Sequence, residues 1–194
     1  KNEIRHYRQG QDNGFGIYKN AYDANIRRGN WFINLLDLLK YSSGNIHIQE
    51  KQKASHGLLR FKGFIGEGKG QIKPGTIIKK AILTLTTEGR GSEGDGARIQ
   101  RLSLPWKKAI NLGNTSLDSI IDNELTSNID VETGFVNKGT KSFDVTKSVQ
   151  SWLNGDSNYG WLFKARGRND WQFRSSKWKA VVERPMLTII YERE

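Results

Sequence analysis

Cysteine is absent from this 194-residue chain, and proline occurs only three times. Without cysteine the protein can have no disulfide bonds, no thiolate metal site and no cysteine nucleophile. Cytosolic and secreted proteins can both lack cysteine, so its absence does not assign a compartment. So few prolines, with 21 glycines and 36% apolar residues, indicate a folded protein rich in turns and exclude a disordered one.

Long apolar segments are also absent, since no run approaches the roughly 20 residues that span a bilayer. The longest candidate, residues 31–39, is interrupted by Asn34 and Asp37. A signal peptide is not recognisable, because Lys1 and the two polar residues after it lead directly into a polar strand. We therefore expect a mature module or an excised domain that does not insert into a membrane.

Catalytic signatures are scarce. The three histidines, His6, His47 and His56, occur singly and lack the spacing of metal ligands. The glycine-rich segment GEGKGQ at 66–71 lacks the Lys-Ser/Thr ending of a phosphate-binding loop, so it predicts an ordinary loop. We predict no catalytic residues. A structural calcium ion would be compatible with the chain, but no ligand set is identifiable.

Positive charge is abundant. The chain has 31 Lys and Arg residues against 20 Asp and Glu residues, which makes the formal net charge +11. This excess implies an anionic partner or surface, or else a basic protein that its charge keeps soluble. The length suits one domain with a sizeable core, so residues 1–194 are expected to form a single domain.

Alternation of apolar and polar residues predicts a series of short strands separated by glycine-rich turns. The predicted strands are 3–10, 45–49, 56–64, 76–87, 97–104, 160–166, 171–176 and 185–192. Residues 15–28 are also predicted to be extended, and a short alternating run with Phe143 and Val145 leads into the next element. Residues 31–40 and 115–125 instead have helical spacing. Many short antiparallel strands with few short helices predict an all-β sandwich.

A short amphipathic helix is predicted over 146–153, where Val149, Trp152 and Leu153 fall on one face. Thr146 is the predicted N-cap, and Gly155 is predicted to end the helix. The strands 160–166 and 171–176 follow, joined by a turn, so we predict that they are neighbours in one antiparallel sheet.

Several segments resemble a known family: FDVTKSVQSWLNGDSNYGWLFKA at 143–165, FRSS at 173–176, RPMLTIIY at 184–191, HGLLRF at 56–61 and PGTIIKKAILTL at 74–85. In their order and spacing these segments are similar to the DNRLRE (disaggregatase-related) domains, which overlap with alginate-binding carbohydrate modules. The resemblance implies a jelly-roll sandwich that binds a polysaccharide. It also implies attachment to a secreted polysaccharide-acting enzyme in a longer chain.

Strand parity places one set of cations outward, opposite the predicted core residues Trp161 and Phe163. This set is Arg60, Lys62, Lys164, Arg166 and Arg174. Arginine can take a carboxylate or sulfate with two hydrogen bonds, whereas lysine acts as a mobile point charge. Trp178, flanked by Lys177, is predicted to stack on a sugar. A competing set on the N-terminal segment is Lys19, Arg27 and Arg28.

These observations predict a non-catalytic module that binds an acidic polysaccharide such as alginate. We expect a monomer, secreted or at the cell surface of a bacterium or archaeon. We expect no nucleic-acid partner, because no recognition helix or RNA-binding signature is present. One alternative is a jelly-roll polysaccharide lyase, which IHIQ at 46–49 and WLFKARG at 161–167 superficially resemble and in which His47 and Tyr159 would act. Another is a cell-surface adhesion or structural domain.

Overall fold

The computed structural model describes residues 1–27, 44–50, 54–106 and 126–192. Short strands dominate these ranges, in line with the alternating sequence. The strands are β1 (Asn2–Arg8), β2 (Ala21–Arg27), β3 (Asn45–Ile48), β4 (Ser55–Phe61), β5 (Ile78–Thr87), β6 (Ala97–Leu102), β7 (Thr126–Glu132), β8 (Gly139–Asp144), β9 (Trp161–Ala165), β10 (Trp171–Arg174) and β11 (Met186–Glu192). Helix α1 spans Thr146–Leu153, and a 3₁₀ helix spans Val181–Glu183.

The strands form three antiparallel sheets. One sheet has the order β1-β11-β5-β8, and a second has the order β2-β4-β9-β6-β7. The third is a two-stranded ribbon of β10 and β3. The ribbon packs against β5 on one side and β4 on the other, so it connects the two larger sheets. The predicted all-β sandwich is confirmed.

The core lies between these sheets and includes residues from all three. Leu83 and Leu187 come from the four-stranded sheet, Phe61 and Phe163 from the five-stranded sheet, and Phe173 from the ribbon. Trp152, Trp161 and Trp171 are also buried. Alternation along β4, β9 and β10 was therefore a correct guide to which side chains point inward.

Gly57 shows how closely the ribbon approaches the five-stranded sheet. A Cβ at this position would lie 2.8 Å from both Ile46 and Ile48 of β3. Real Cβ contacts are essentially never this short, so the absence of a side chain at Gly57 allows β3 to pack on β4.

One sequence prediction about neighbouring strands needs correction. Strands β9 and β10 are not partners, because β9 pairs with β4 and β6 whereas β10 pairs with β3. Residues 167–170 therefore carry the chain from one sheet to another and do not form a hairpin. Strand β7 was not predicted, because its short polar sequence has no clear apolar alternation. Strand β2 lies within the segment 15–28 that was predicted to be extended. The helices predicted at 31–40 and 115–125 lie outside the described residues.

Helix α1 has the predicted bounds but a different N-terminus. Val145 is the N-cap, with no side-chain cap, and Thr146 is the first helical residue. The Thr146 hydroxyl accepts the backbone N–H of Ala81 at 2.9 Å, which fixes the helix to β5. Asp144 accepts the Thr146 N–H at 3.0 Å. Gly155 follows the helix at φ 110°, as expected of a glycine that ends a helix.

Asp144 should make the stability of the protein depend on pH. The Thr146 hydroxyl and N–H hold the pKa of the Asp144 carboxyl below its usual range. Because the pKa of Asp144 is lower in the folded state, its ionised form stabilises the protein at pH values above its unfolded-state pKa of about 3.9. This stabilisation is lost as the pH falls through the folded-state pKa. Asp144→Ala removes its hydrogen bonds with Thr146 and should lower the free energy of unfolding by about 1 kcal/mol at neutral pH, measured by urea denaturation. Asp144→Asn keeps an acceptor and should lose less; an equal loss in both variants would contradict this role.

Within the described residues, no helix is both long enough and apolar enough to cross a membrane.

Candidate functional site

Two of the predicted cations lie beside tyrosines on the outward face of the five-stranded sheet. Arg60 of β4 lies 5.8 Å from the ring centre of Tyr159, and Lys62 lies 5.5 Å from that of Tyr22. Burial lowers the pKa of the Arg60 guanidinium, and the Arg60 Nε is buried without a hydrogen-bond partner among the described residues. Arg60 is therefore half-buried against aromatic rings, whereas Lys62 is exposed.

The other two cations of this face lie toward β6 and β7. Arg166 donates to Glu132 at 3.0 Å, and Arg98 donates to the same carboxylate oxygen at 2.8 Å. Lys164 pairs in register with Arg98. Glu132 lies on β7, a strand that the sequence did not predict, and it pairs with both arginines.

The middle of this outward face is covered. Leu58 and Leu162 are paired in register and fully buried, although they point away from the main core. Gln100 continues the same row and is also buried. The expected open basic sheet surface is therefore divided into two separate ends.

Arg174 lies apart from the other four cations. The rings of Phe163 and Phe173 are 5.1 Å apart in the core, so the ribbon and β9 face each other across it. The alternate residues Arg174 and Lys164 consequently point away from the core in opposite directions. The structure does not bring them together.

On the ribbon, Arg174 already has several partners. It donates to Glu183 and Asn45, both at 3.0 Å, and its guanidinium lies 3.9 Å from the ring centre of Trp178. Only 13% of its side chain is exposed. Trp178 is half-buried, with Arg174 against its ring, and Lys177 beside it is exposed. The side chain of Arg27 and all of Arg28 lie outside the described residues.

Lys19 belongs to a different surface, at the end of the sandwich formed by the loops after β1 and β4. A cavity of about 240 Å³ lies between these loops, and its lining includes Phe15, Lys19, Lys69 and Gln71. Lys62 is adjacent, since its N–H donates to the carbonyl of Asn20, which also lines the cavity. The backbone of Lys62 therefore lies beside a concave surface that Lys19 lines. We call it the lysine cavity.

Short-range interactions fix the two loops that form the lysine cavity. Asp12 and Asn13 accept backbone N–H groups two residues ahead, which turns the chain around the left-handed glycines 14 and 16. In the second loop, Gln71 accepts the Gly68 N–H at 2.8 Å and donates to the Gly63 carbonyl at 2.9 Å. Both loops are therefore held in shape without a ligand.

Two buried tyrosines connect these loops to the sheets. Tyr7 of β1 donates to the Gly70 carbonyl at 2.8 Å, and Tyr18 donates to the Lys62 carbonyl at 2.7 Å. Burial raises the pKa of both phenols well above the ordinary range. Both tyrosines therefore remain uncharged hydrogen-bond donors at physiological pH.

The lysine cavity has an unbalanced charge. Among the described residues that line it, none is Asp or Glu. Lys19 and Lys69 are exposed, and neither forms a salt bridge with any described residue. Phe15 presents 47% of its surface to solvent, while Arg5 lies 4.4 Å from its ring centre. Two lysines, an accessible aromatic ring and several amides thus surround a space without a carboxylate.

A second cavity of about 750 Å³ adjoins the lysine cavity, and Gln71 lines both. Its cations are paired with carboxylates. Arg5 pairs with Glu3, Lys79 lies 2.6 Å from Glu192, and Lys73 lies 3.8 Å from Glu67. Lys79 holds the pKa of the Glu192 carboxyl below its usual range. We call this space the paired cavity.

The residues that the lyase alternative requires are on different elements. His47 lies on the outward face of the ribbon, where its Nδ1 is 2.8 Å from Asp170. Tyr159 lies beside Arg60 at the five-stranded sheet, on the other side of the core. Among the described residues, no group of three or more His, Asp or Glu side chains could hold a metal ion.

Lys69 and Phe15 are the two residues that sequence reasoning missed. Both are flanked by glycines, in GKG and GFG, which is a weak signal that a side chain is presented on a turn. Their proximity depends on loops about 50 positions apart and is not visible in either segment alone. No protein-family model matches the chain.

Proposed function

We propose that this protein is a non-catalytic module that binds an acidic polysaccharide, and that the lysine cavity is its binding site. The observation that carries this proposal is the lysine cavity itself, where two lysines without carboxylate partners lie beside an accessible aromatic ring. If the positive charge served only to keep the protein soluble, a concave, pre-formed site of this composition would not be needed.

The chemistry of the lining fits a sugar acid. An ammonium group can follow a carboxylate or sulfate as a mobile point charge. The face of Phe15 can pack against the C–H groups of a sugar ring, and the amides of Asn13, Asn20 and Gln71 offer hydrogen bonds to hydroxyls. The volume is below the roughly 300–1,000 Å³ of typical small-molecule pockets, which suits one unit of a longer chain.

Such a module would increase the local concentration of an attached enzyme at its substrate. The resemblance to alginate-binding modules supports this role for a tethered domain. The positive charge of the whole chain would attract an anionic polymer at long range, while the cavity would select where it binds.

Affinity electrophoresis on a panel of acidic and neutral polysaccharides tests the proposal. Acidic polymers should retard the protein, neutral polymers should not, and the retardation should weaken with salt. Equal retardation by neutral polymers, or none by any acidic polymer, would refute it.

The same panel separates binding from lyase activity. We predict no sustained rise in ultraviolet absorbance from unsaturated sugar ends, because His47 and Tyr159 are not brought together. A sustained rise that His47→Ala or Tyr159→Phe abolishes would instead establish the lyase alternative.

A further inference from the structure

The two adjoining cavities differ sharply in charge, although one chain of sugars could occupy both. They share Gln71 in their linings. Arg5, which lines the paired cavity, covers one side of Phe15, which lines the lysine cavity. A polysaccharide that places one unit against Lys19 and Lys69 can therefore continue past Phe15 into the paired cavity.

An anionic sugar is poorly suited to the paired cavity. Its three cations, Arg5, Lys73 and Lys79, each have a carboxylate partner. The side chains of Arg5 and Glu3 are only 17% and 23% exposed, so water screens that pair less than a fully exposed one. A second carboxylate here would meet Glu3 and Glu192 as like charges.

An uncharged sugar is better suited to it. Ile77 presents 74% of its surface and lines the paired cavity together with Pro74 and the half-buried Thr76. Apolar side chains can cover the C–H face of a sugar ring, and the paired charges can still exchange hydrogen bonds with hydroxyls.

We propose that the polysaccharide recognised here alternates anionic and uncharged units, with the anionic unit in the lysine cavity and the uncharged unit in the paired cavity. This inference rests on the proposed function, since it takes the lysine cavity as the binding site. It distinguishes this module from one built for a polymer with a carboxylate on every unit, which would require unpaired cations in both cavities.

Competition between two types of polymer tests the inference. Hyaluronan alternates a uronate with a neutral N-acetylhexosamine, whereas polygalacturonate and alginate carry a carboxylate on every unit. At equal uronate concentration, hyaluronan should bind the wild-type protein more tightly despite its lower charge density. Tighter binding of polygalacturonate and alginate would overturn the inference and leave the proposed function intact.

A charge-changing variant provides the second arm. Glu3→Gln with Glu192→Gln leaves Arg5 and Lys79 without their carboxylate partners and makes the paired cavity more cationic. The affinity for polygalacturonate relative to hyaluronan should then rise about fivefold, the scale of one exposed ion pair. An unchanged ratio in a variant with wild-type melting temperature would also overturn the inference. If neither polymer type binds, the proposed function fails first, and the two failures are thereby distinguishable.

Discussion

Replacing Lys19 and Lys69 together by alanine is expected to weaken the binding of acidic polysaccharide about a hundredfold. Each ammonium should form a charge-assisted contact with the bound sugar acid, and such a contact contributes about 1.5–3 kcal/mol. Each single variant should therefore lose about tenfold, and the two losses should combine if the lysines bind independently. Isothermal titration calorimetry or affinity electrophoresis of the single and double variants measures these changes.

Weaker binding could result from the lower net charge of the protein or from the loss of direct contacts in the lysine cavity, and a control variant separates the two. The control variant Lys138→Ala with Lys147→Ala also removes two positive charges, but from exposed positions that line neither cavity. This control should weaken binding only slightly, and its effect should disappear near 1 M salt, where the screening length is roughly 3 Å. If the control weakens binding as much as Lys19→Ala with Lys69→Ala, the lysine cavity is not the site. If Arg166→Ala and Arg174→Ala reduce binding while the cavity variants do not, the ligand binds the outward-facing cations predicted from strand parity and not the lysine cavity.

Trp171→Ala is expected to destabilise the fold by about 3–5 kcal/mol, the usual cost of removing a buried tryptophan. Trp171 is fully buried, and it lies beside one aromatic ring of its own strand and one ring from each of two other strands. Its ring centre lies 6.0 Å from that of Phe143, 6.1 Å from that of Phe163 and 5.3 Å from that of Phe173. These residues belong to the four-stranded sheet, the five-stranded sheet and the ribbon, so the variant loosens all three sheets at one point. The free energy of unfolding from urea denaturation measures the loss.

Two further substitutions separate the packing of Trp171 from its hydrogen bond. The indole N–H donates to the buried Thr87 hydroxyl at 2.8 Å. Thr87→Val keeps the ring but leaves this N–H without its partner, which should cost about 1–3 kcal/mol. Trp171→Phe keeps most of the aromatic contact and should lose less than Trp171→Ala. Equal losses in Trp171→Phe and Trp171→Ala would show that ring packing at this position is not the main contribution.

The sequence was sufficient for features that arise within one segment. Alternation in WLFKA placed Trp161 and Phe163 in the core because successive side chains of a strand point to opposite faces. Likewise the spacing of Val149 and Trp152 predicted the buried face of helix α1. The large excess of positive charge also needed no structure.

Strand partners and charge partners could not be read from any one segment. Parity predicts that Arg166 and Arg174 point away from the core, but not that their strands belong to different sheets. Nor does it show that Arg166 meets Glu132 and that Arg174 meets Glu183. Those contacts depend on which strands pair, and pairing is decided by how the whole core packs. For this reason the cations that were predicted to form one basic face lie on separate surfaces in the structure.

The same distinction applies to the site. The sequence by itself determined a cysteine-free β-sandwich with a large excess of positive charge, and it identified Lys19 as a displayed cation. Only the tertiary structure decided that Lys19 meets Lys69 and Phe15 across two loops, and that Gln71 lies between two cavities of different charge. The physical reason is that side-chain alternation is a local property of the backbone, whereas a cavity exists only where segments distant in sequence are brought together by a shared core.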